Sequence, residues 1–419
     1  MRRLTRAIVA AGLVFGALLA PSTAVAQSST PNQADDLVRS REYWLDDYGI
    51  RDAWATTQGK GITIAIIDTG IDSGVRELKG VVVGGADFSG HGAHNGQKPV
   101  GSEPQHATMV ASLAAGRGAG AGSGVIGVAP KASLLSLSIG FGGGRDSDAE
   151  VADAVRWAVD HGADVINMSL TRNTLDWPES WDDAFLYAMQ NDVVIVAAAG
   201  NRGSGTTEVG APATMPGVLT VSGVDRNGSA SFNASSQGTT IGVAAPSEQL
   251  VGVVPGGGYV TWSGTSGATP IVAGIVALVR AAHPDLDAAN VVNRIIVTAR
   301  DRGKSGPDFI YGYGLVDAEA AVTDDVGLVD ANPVGDLAEW IRINRRAPAA
   351  EPPVVEPVET SPVETPPAAA TNPTGTLLPS VTSLQLVGIP SLVIALFIIV
   401  LCVLIFGAVR AYGSNRRAR

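Results

Sequence analysis

The sequence predicts an α/β fold, a mostly parallel central sheet sandwiched by helices. Three observations carry this. First, short apolar runs of strand length alternate with longer runs of helical length, near 62–67, 132–138, 164–168, 193–197 and 218–224 for strands and near 107–115, 148–160, 180–190, 267–281 and 287–297 for helices. Second, runs such as Gly61-Ile62-Thr63-Ile64-Ala65-Ile66-Ile67-Asp68 are apolar at consecutive positions, as a strand covered on both faces requires. Third, Ile271-Val272-Ala273-Gly274-Ile275-Val276-Ala277-Leu278-Val279 is too long for a typical strand and apolar nearly all round, so it reads as a helix through the centre.

From the N-terminus, Arg2, Arg3 and Arg6 precede an apolar stretch from Ala7 to Ala20 and the small-residue site Ala24-Val25-Ala26. That pattern predicts a secretory signal peptide over 1–26. Residues 27–345 are expected to form one large domain with a short N-terminal extension, long enough for a single core. A tract dense in Pro, Glu, Thr and Ala follows and predicts an extended stalk over 346–385. Gly388 to Val409 is 22 residues without a charge, so 386–409 is expected to span a bilayer. The arginines of 410–419 would then hold the tail in the cytoplasm and the large domain outside, with the lipid bilayer as a partner.

The net charge of −11, without a basic cluster away from the termini, argues against nucleic-acid binding. The single cysteine, Cys402, falls in the apolar C-terminal segment, which excludes an intrachain disulfide. No Cys/His cluster suggests zinc. The acidic pairs Asp146/Asp148, Asp182/Asp183 and Asp324/Asp325 read as solvated surface charge, and Trp157, Trp177 and Trp181 as core or cleft-wall residues.

Four segments carry candidate chemistry. Ser266 stands in Gly264-Thr265-Ser266-Gly267-Ala268-Thr269-Pro270, at the start of the buried helix. It can serve as a cap, or as a nucleophile beside the free N–H groups and positive pole of the helix. Pro270 is expected in the first turn, where a missing N–H costs no helical bond. Asp68 ends the strand Gly61–Asp68, at the sheet edge where ligands gather. His106 opens the helical run Ala107–Ala115. Asn201 follows the strand Val193–Ala199 in a Gly-Asn turn, as a turn residue or as an amide aimed at an oxyanion.

Alternative chemistries fit poorly. Asp68-Thr69-Gly70 and Asp72-Ser73-Gly74 imitate an aspartic-protease signature, but two copies four residues apart in one loop cannot come from separate lobes. Gly264-Thr265-Ser266-Gly267-Ala268 lacks the last glycine of a nucleophile elbow, and no Asp…His pair follows it.

Asp68-Thr69-Gly70, His106 with Thr108, Ala199-Gly200-Asn201 and Gly264-Thr265-Ser266 with Ala268 and Pro270 together resemble the subtilisin-like serine proteases, in their Asp, His, Ser order. The resemblance runs from about Trp44 to Ala321 and implies a three-layer αβα sandwich. It implies Ser266 as nucleophile, His106 as general base, Asp68 as the group that orients and stabilises the imidazole, and Asn201 in the oxyanion hole. It further implies that Ser169-Leu170-Thr171 and Gly142-Gly143-Gly144 flank an extended peptide or protein substrate. No cofactor is required; structural calcium occurs in the family, but no ligand-dense loop stands out.

Three departures are evident. Gln105-His106-Ala107-Thr108 replaces the family's Gly-His-Gly-Thr, so His106 is expected to shift slightly. Gly267 replaces a larger residue after the serine. Thr171 stands where subtilisins often have glycine, which implies a narrower pocket suited to small or medium apolar side chains. The overall layout, with a short extension lacking room for a folding propeptide, a stalk and a membrane helix, is similar to the mycosins, anchored proteases of type VII secretion. Two functions follow from the resemblance. One is a membrane-anchored extracellular serine endopeptidase acting on exported proteins. The other is a structural component of a membrane secretion complex, with proteolysis secondary or lost.

Overall fold

The computed structural model describes residues 37–140 and 147–345. The expected signal peptide, stalk, membrane segment and tail lie outside the described residues, as do Gly142 and Gly143. The main elements in chain order are α1 (Trp44–Asp47), α2 (Ile50–Ala53), β1 (Thr63–Asp68), β2 (Val82–Asp87), α3 (His106–Ala115), β3 (Ser133–Ser138), α4 (Ser147–Asp160), β4 (Val165–Met168), α5 (Glu179–Gln190), β5 (Val194–Ala198), β6 (Leu219–Val224), β7 (Ile241–Pro246), β8 (Leu250–Val253), β9 (Tyr259–Trp262), α6 (Thr265–Ala282), α7 (Ala288–Val297), α8 (Ala318–Thr323) and α9 (Leu337–Asn344).

The sheet has the order β2-β3-β1-β4-β5-β6-β7, with every neighbouring pair parallel. Alternate residues of β1 serve opposite layers. Ile64 and Ile66 pack with residues of α1, α2, α3, α6, α7 and α8. Ala65 and Ile67 pack with α4, α5 and Leu337 of α9. The fold is therefore the three-layer sandwich expected, and the consecutive apolar residues of β1 are consecutive because both faces are covered. From β1 the chain crosses to β2, returns to β3 beside β1, and then continues on the other side of β1 from β4 onward. Such a reversal opens a crevice at the carboxyl ends of the strands, where Asp68 stands.

Helix α6 is the central element. Thr265 and every residue from Gly267 to Arg280 are buried. Among the described residues it is the single helix long and apolar enough to cross a membrane, yet 83% of its apolar window is buried inside the protein. Its length is longer at the N-terminal end than the sequence suggests. Because α6 starts at Thr265, Pro270 lies in its second turn, and the expectation that this proline costs no helical bond is wrong.

Asp182 corrects a second expectation. It is buried, accepts a hydrogen bond from Trp177 Nε1 (2.6 Å) and pairs with Arg345 Nε (2.8 Å). Asp148 pairs with Arg172. Asp183, Asp324 and Asp325 are exposed.

Gly274 lets α6 approach the segment after α3. A Cβ there would stand 2.5 Å from Val128 Cβ and 3.3 Å from the Ala114 carbonyl oxygen. Alanine is favoured over glycine in a helix by about 1 kcal/mol. Overpacking a rigid contact costs about 1–3 kcal/mol and reverses that sign. Gly274→Ala is therefore expected to lower the denaturation midpoint; a raised midpoint in chemical unfolding would show that the two segments yield freely.

Candidate active site

Asp68 ends β1 fully buried. Its Oδ1 accepts the Thr69 N–H at 2.6 Å, which fixes the carboxylate. His106 is the first residue of α3, and its Nδ1 lies 2.9 Å from Asp68 Oδ1 and 2.8 Å from Oδ2. A carboxylate only accepts, so Nδ1 carries the proton and Nε2 is left as the basic nitrogen. Burial, the largest single influence, disfavours the charged ring. The charge and hydrogen bond of Asp68, with Glu103 adding to them, outweigh it and hold the pKa above the usual 6.5.

The altered motif around His106 does not break this pair. Ala107 is fully buried and donates its N–H to Thr69 Oγ1 (3.2 Å), while Thr108 Oγ1 accepts from the Asp72 N–H (3.0 Å). Both contacts tie the start of α3 to the loop after β1. The ring edge of Trp262 meets His106 at a centroid distance of 5.9 Å.

Ser266 is the second residue of α6 and is partly exposed. Its hydroxyl donates to the Ser169 carbonyl oxygen at 3.1 Å rather than to His106. Asn201 follows β5 and faces the same helix start. Its Oδ1 accepts from the Thr265 N–H (2.8 Å) and the Thr265 hydroxyl (3.0 Å), which assigns the amide and leaves Nδ2 as its donor end. Gly264, at φ +152°, keeps the space beside that amide open: a Cβ would stand 3.2 Å from Asn201 Nδ2. Gly267 is likewise explained by its neighbours. A Cβ there would lie 2.3 Å from Leu250 Cδ1 and 3.2 Å from the Trp262 ring, so these two side chains occupy the room a larger residue would need.

Past Met168 the chain leaves the β4–β5 ladder, and Ser169, Leu170 and Thr171 line a cleft of about 340 Å³. His106, Asn201 and Glu103 line it too. The fold thus gathers Asp68, His106, Ser266, Asn201, Ser169, Leu170 and Thr171 at one edge of the sheet. Thr265, Trp262 and Glu103 were not singled out in the sequence. Thr265 sits in the serine motif and could have been; Trp262 and Glu103 matter through contacts that only the fold creates. Among the described residues no three His, Cys, Asp or Glu side chains group as a metal site.

The electrostatics make a titration prediction. Asp68→Asn removes the attraction but keeps the burial, so the His106 pKa should fall below its native value, and Glu103→Gln should lower it less. A histidine NMR titration checks both; an unchanged His106 midpoint in Asp68→Asn would contradict the assignment of cause.

Known proteins resemble this chain in sequence and in fold. The Subtilase family model matches residues 59–314. Subtilisin DY of Bacillus licheniformis is 37% identical over 269 residues, covering 63% of this chain and 92% of that protein. Two solved structures superpose on the fold. MycP1 from Mycobacterium smegmatis does so with a TM-score of 0.58 and 32% identity, covering 68% of this chain and 85% of that one. The MycP3 protease from the type VII (ESX-3) secretion system gives a TM-score of 0.57 and 33% identity, over 68% and 88%. With a family model spanning more than half its length and relatives above 30% identity, the chain belongs to the subtilase family of serine endopeptidases.

Proposed function

We propose that the protein is a membrane-anchored extracellular serine endopeptidase that hydrolyses peptide bonds of exported proteins, with Asp68, His106 and Ser266 as its triad. The observation that carries the reading is the Asp68–His106 pair at 2.8 Å, opening onto the cleft that Ser169 and Asn201 line. In the proposed reaction the Ser266 hydroxyl turns from Ser169 to His106 Nε2. It attacks the scissile carbonyl carbon as its proton passes to the imidazole, and Asp68 stabilises the imidazolium. The oxyanion receives hydrogen bonds from Asn201 Nδ2 and the Ser266 N–H, one of the amides at the helix start without a helical partner. Collapse returns the proton to the leaving amine and leaves an acyl-enzyme, which water then hydrolyses.

The reading divides the chain into a signal peptide (1–26), a catalytic domain (27–345), a stalk (346–385), a membrane helix (386–409) and a cytoplasmic tail (410–419). The supports are the basic-then-apolar leader, the Pro-rich tract and the uncharged 22-residue segment followed by arginines. The substrate would lie extended along Ser169-Leu170-Thr171, with Gly142 and Gly143 opposite. Thr171 narrows the cleft, so small or medium apolar residues are proposed before the cleaved bond. Cleavage of a peptide library checks this, and efficient cleavage after Phe and Tyr would refute it.

A second reading is favoured by the likeness to MycP3, whose structure is described as part of a type VII secretion system. In it the chain serves a membrane secretion complex mainly by contact. One experiment separates the two. The full-length chain in cell membranes is treated with a fluorophosphonate probe. The enzymatic reading expects labelling that vanishes in Ser266→Ala and stays with membranes through an alkaline wash. Absent labelling, with secretion intact in Ser266→Ala but lost on deletion of the chain, would favour the contact role. A labelled protein released by the wash would refute the anchor.

A further inference from the structure

Pro270 creates a gap at the candidate nucleophile. In α6 the amide of residue 270 would donate to the carbonyl four residues earlier, which is that of Ser266. Proline has no such amide, and its ring presses on that same carbonyl. The Ser169 hydroxyl takes the vacant place, donating to the Ser266 carbonyl oxygen at 2.9 Å. It is held there by Asn167, fully buried in β4, whose Nδ2 donates to Ser169 Oγ at 3.0 Å. In return the Ser266 hydroxyl donates to the Ser169 carbonyl at 3.1 Å. Two residues 97 positions apart are thereby joined by reciprocal hydrogen bonds, and Ser169 is itself only 4% exposed.

We infer that Ser169 is a positioning residue, whose hydroxyl replaces the helix amide lost at Pro270 and so fixes the backbone of Ser266. The inference rests on the reading of Ser266 as nucleophile. Substrate lining is proposed for the main chain of Ser169, whereas this role belongs to its hydroxyl, which is engaged by Asn167 and the Ser266 carbonyl. Small shifts of a reacting group are costly in rate, so a carbonyl without a partner next to the nucleophile would be felt in kcat before it is felt in binding.

The test is a double-mutant cycle on the full-length chain, with Ser169→Ala, Pro270→Ala and both together. The readouts are kcat and KM on a cleaved peptide and the rate of fluorophosphonate labelling. With proline present, Ser169→Ala is expected to lower kcat by about tenfold, the size of one net hydrogen bond, with KM within about twofold. With Pro270→Ala a helix amide again reaches the Ser266 carbonyl, and removing the Ser169 hydroxyl should cost less than about threefold. Ser169→Thr keeps a hydroxyl and should recover most of the loss. Thermal midpoints are recorded throughout, and Ser169→Cys, which keeps the volume, substitutes should Ser169→Ala unfold. Equal losses in both backgrounds, or a change confined to KM, would overturn the positioning role while leaving the protease reading intact. A native chain that neither labels nor cleaves would overturn both.

Discussion

The enclosure of α6 is the constraint on which the rest of the structure depends. Ile271, Val272, Ile275, Val276, Leu278 and Val279 are all fully buried, and each such side chain contributes about 1.5–3 kcal/mol when taken from water. Their sum exceeds the roughly 3 kcal/mol that an internal proline costs, so α6 runs unbroken through Pro270. A helix apolar on every side has to be wrapped. Here β4 to β7 cover one flank, α3 another, and α7 and α8 close the remainder. Once wrapped, it can meet solvent only at its ends. Its first turn emerges at the carboxyl edge of the sheet, beside the end of β1 and the start of α3. The Asp68–His106 pair and Ser266 therefore lie at the same edge of the sheet as a consequence of how the core is filled.

Much of this was legible in the sequence, and the parts that were not have physical causes. The runs ending at Asp68, Ser138, Met168, Ala198 and Val224 are short segments rich in buried apolar residues, and each is a strand of the parallel sheet within a residue or so of its expected limits. β2 was missed because Val82-Val83-Gly84-Gly85-Ala86-Asp87 is a partly exposed edge strand with two glycines. β7, at the opposite edge, ends in Pro246, and β8 and β9 form a separate antiparallel pair whose outer strand is largely exposed. β2 and β9 lack the burial that makes central strands readable, whereas β7 is buried throughout and is obscured instead by Gly242 and its terminal Pro246. The start of α6 was misjudged for a related reason. Gly264-Thr265-Ser266-Gly267 looks like a loop in composition, yet from Thr265 onward it is helical, with Asn201, Ser169 and Trp262 around it.

The departures in the sequence become intelligible in pairs. Gly267 is small because Leu250 and Trp262 fill the neighbouring volume. Ala107 takes the place of a glycine while His106 keeps its contact with Asp68; its N–H reaches Thr69 and its methyl group lies in a fully buried site. The buried Asp68 carboxylate is served by both the Thr69 N–H and the His106 ring; a buried carboxylate deprived of partners would cost several kcal/mol. In each case a residue that looks anomalous along the chain is matched by one distant along the chain and adjacent in space.

The Ser266 hydroxyl rests on the Ser169 carbonyl instead of on His106, and magnitude decides what that means for the proposed chemistry. Moving the hydroxyl exchanges one neutral hydrogen bond for another and passes between staggered rotamers, a difference of about 1 kcal/mol. An enzyme turning over about 10 times per second faces a barrier of about 16 kcal/mol. The rotation is therefore a minor fraction of the barrier, and hydrogen bonds of this kind commonly tighten only once substrate is bound. What could not be recovered so cheaply is the backbone beneath the hydroxyl. A displaced carbonyl at Ser266 would move both the nucleophile and the N–H proposed to face the oxyanion, two contributions to the same transition state. The reciprocal contact with Ser169 joins those two groups to the end of β4, and so to the middle strand of the sheet.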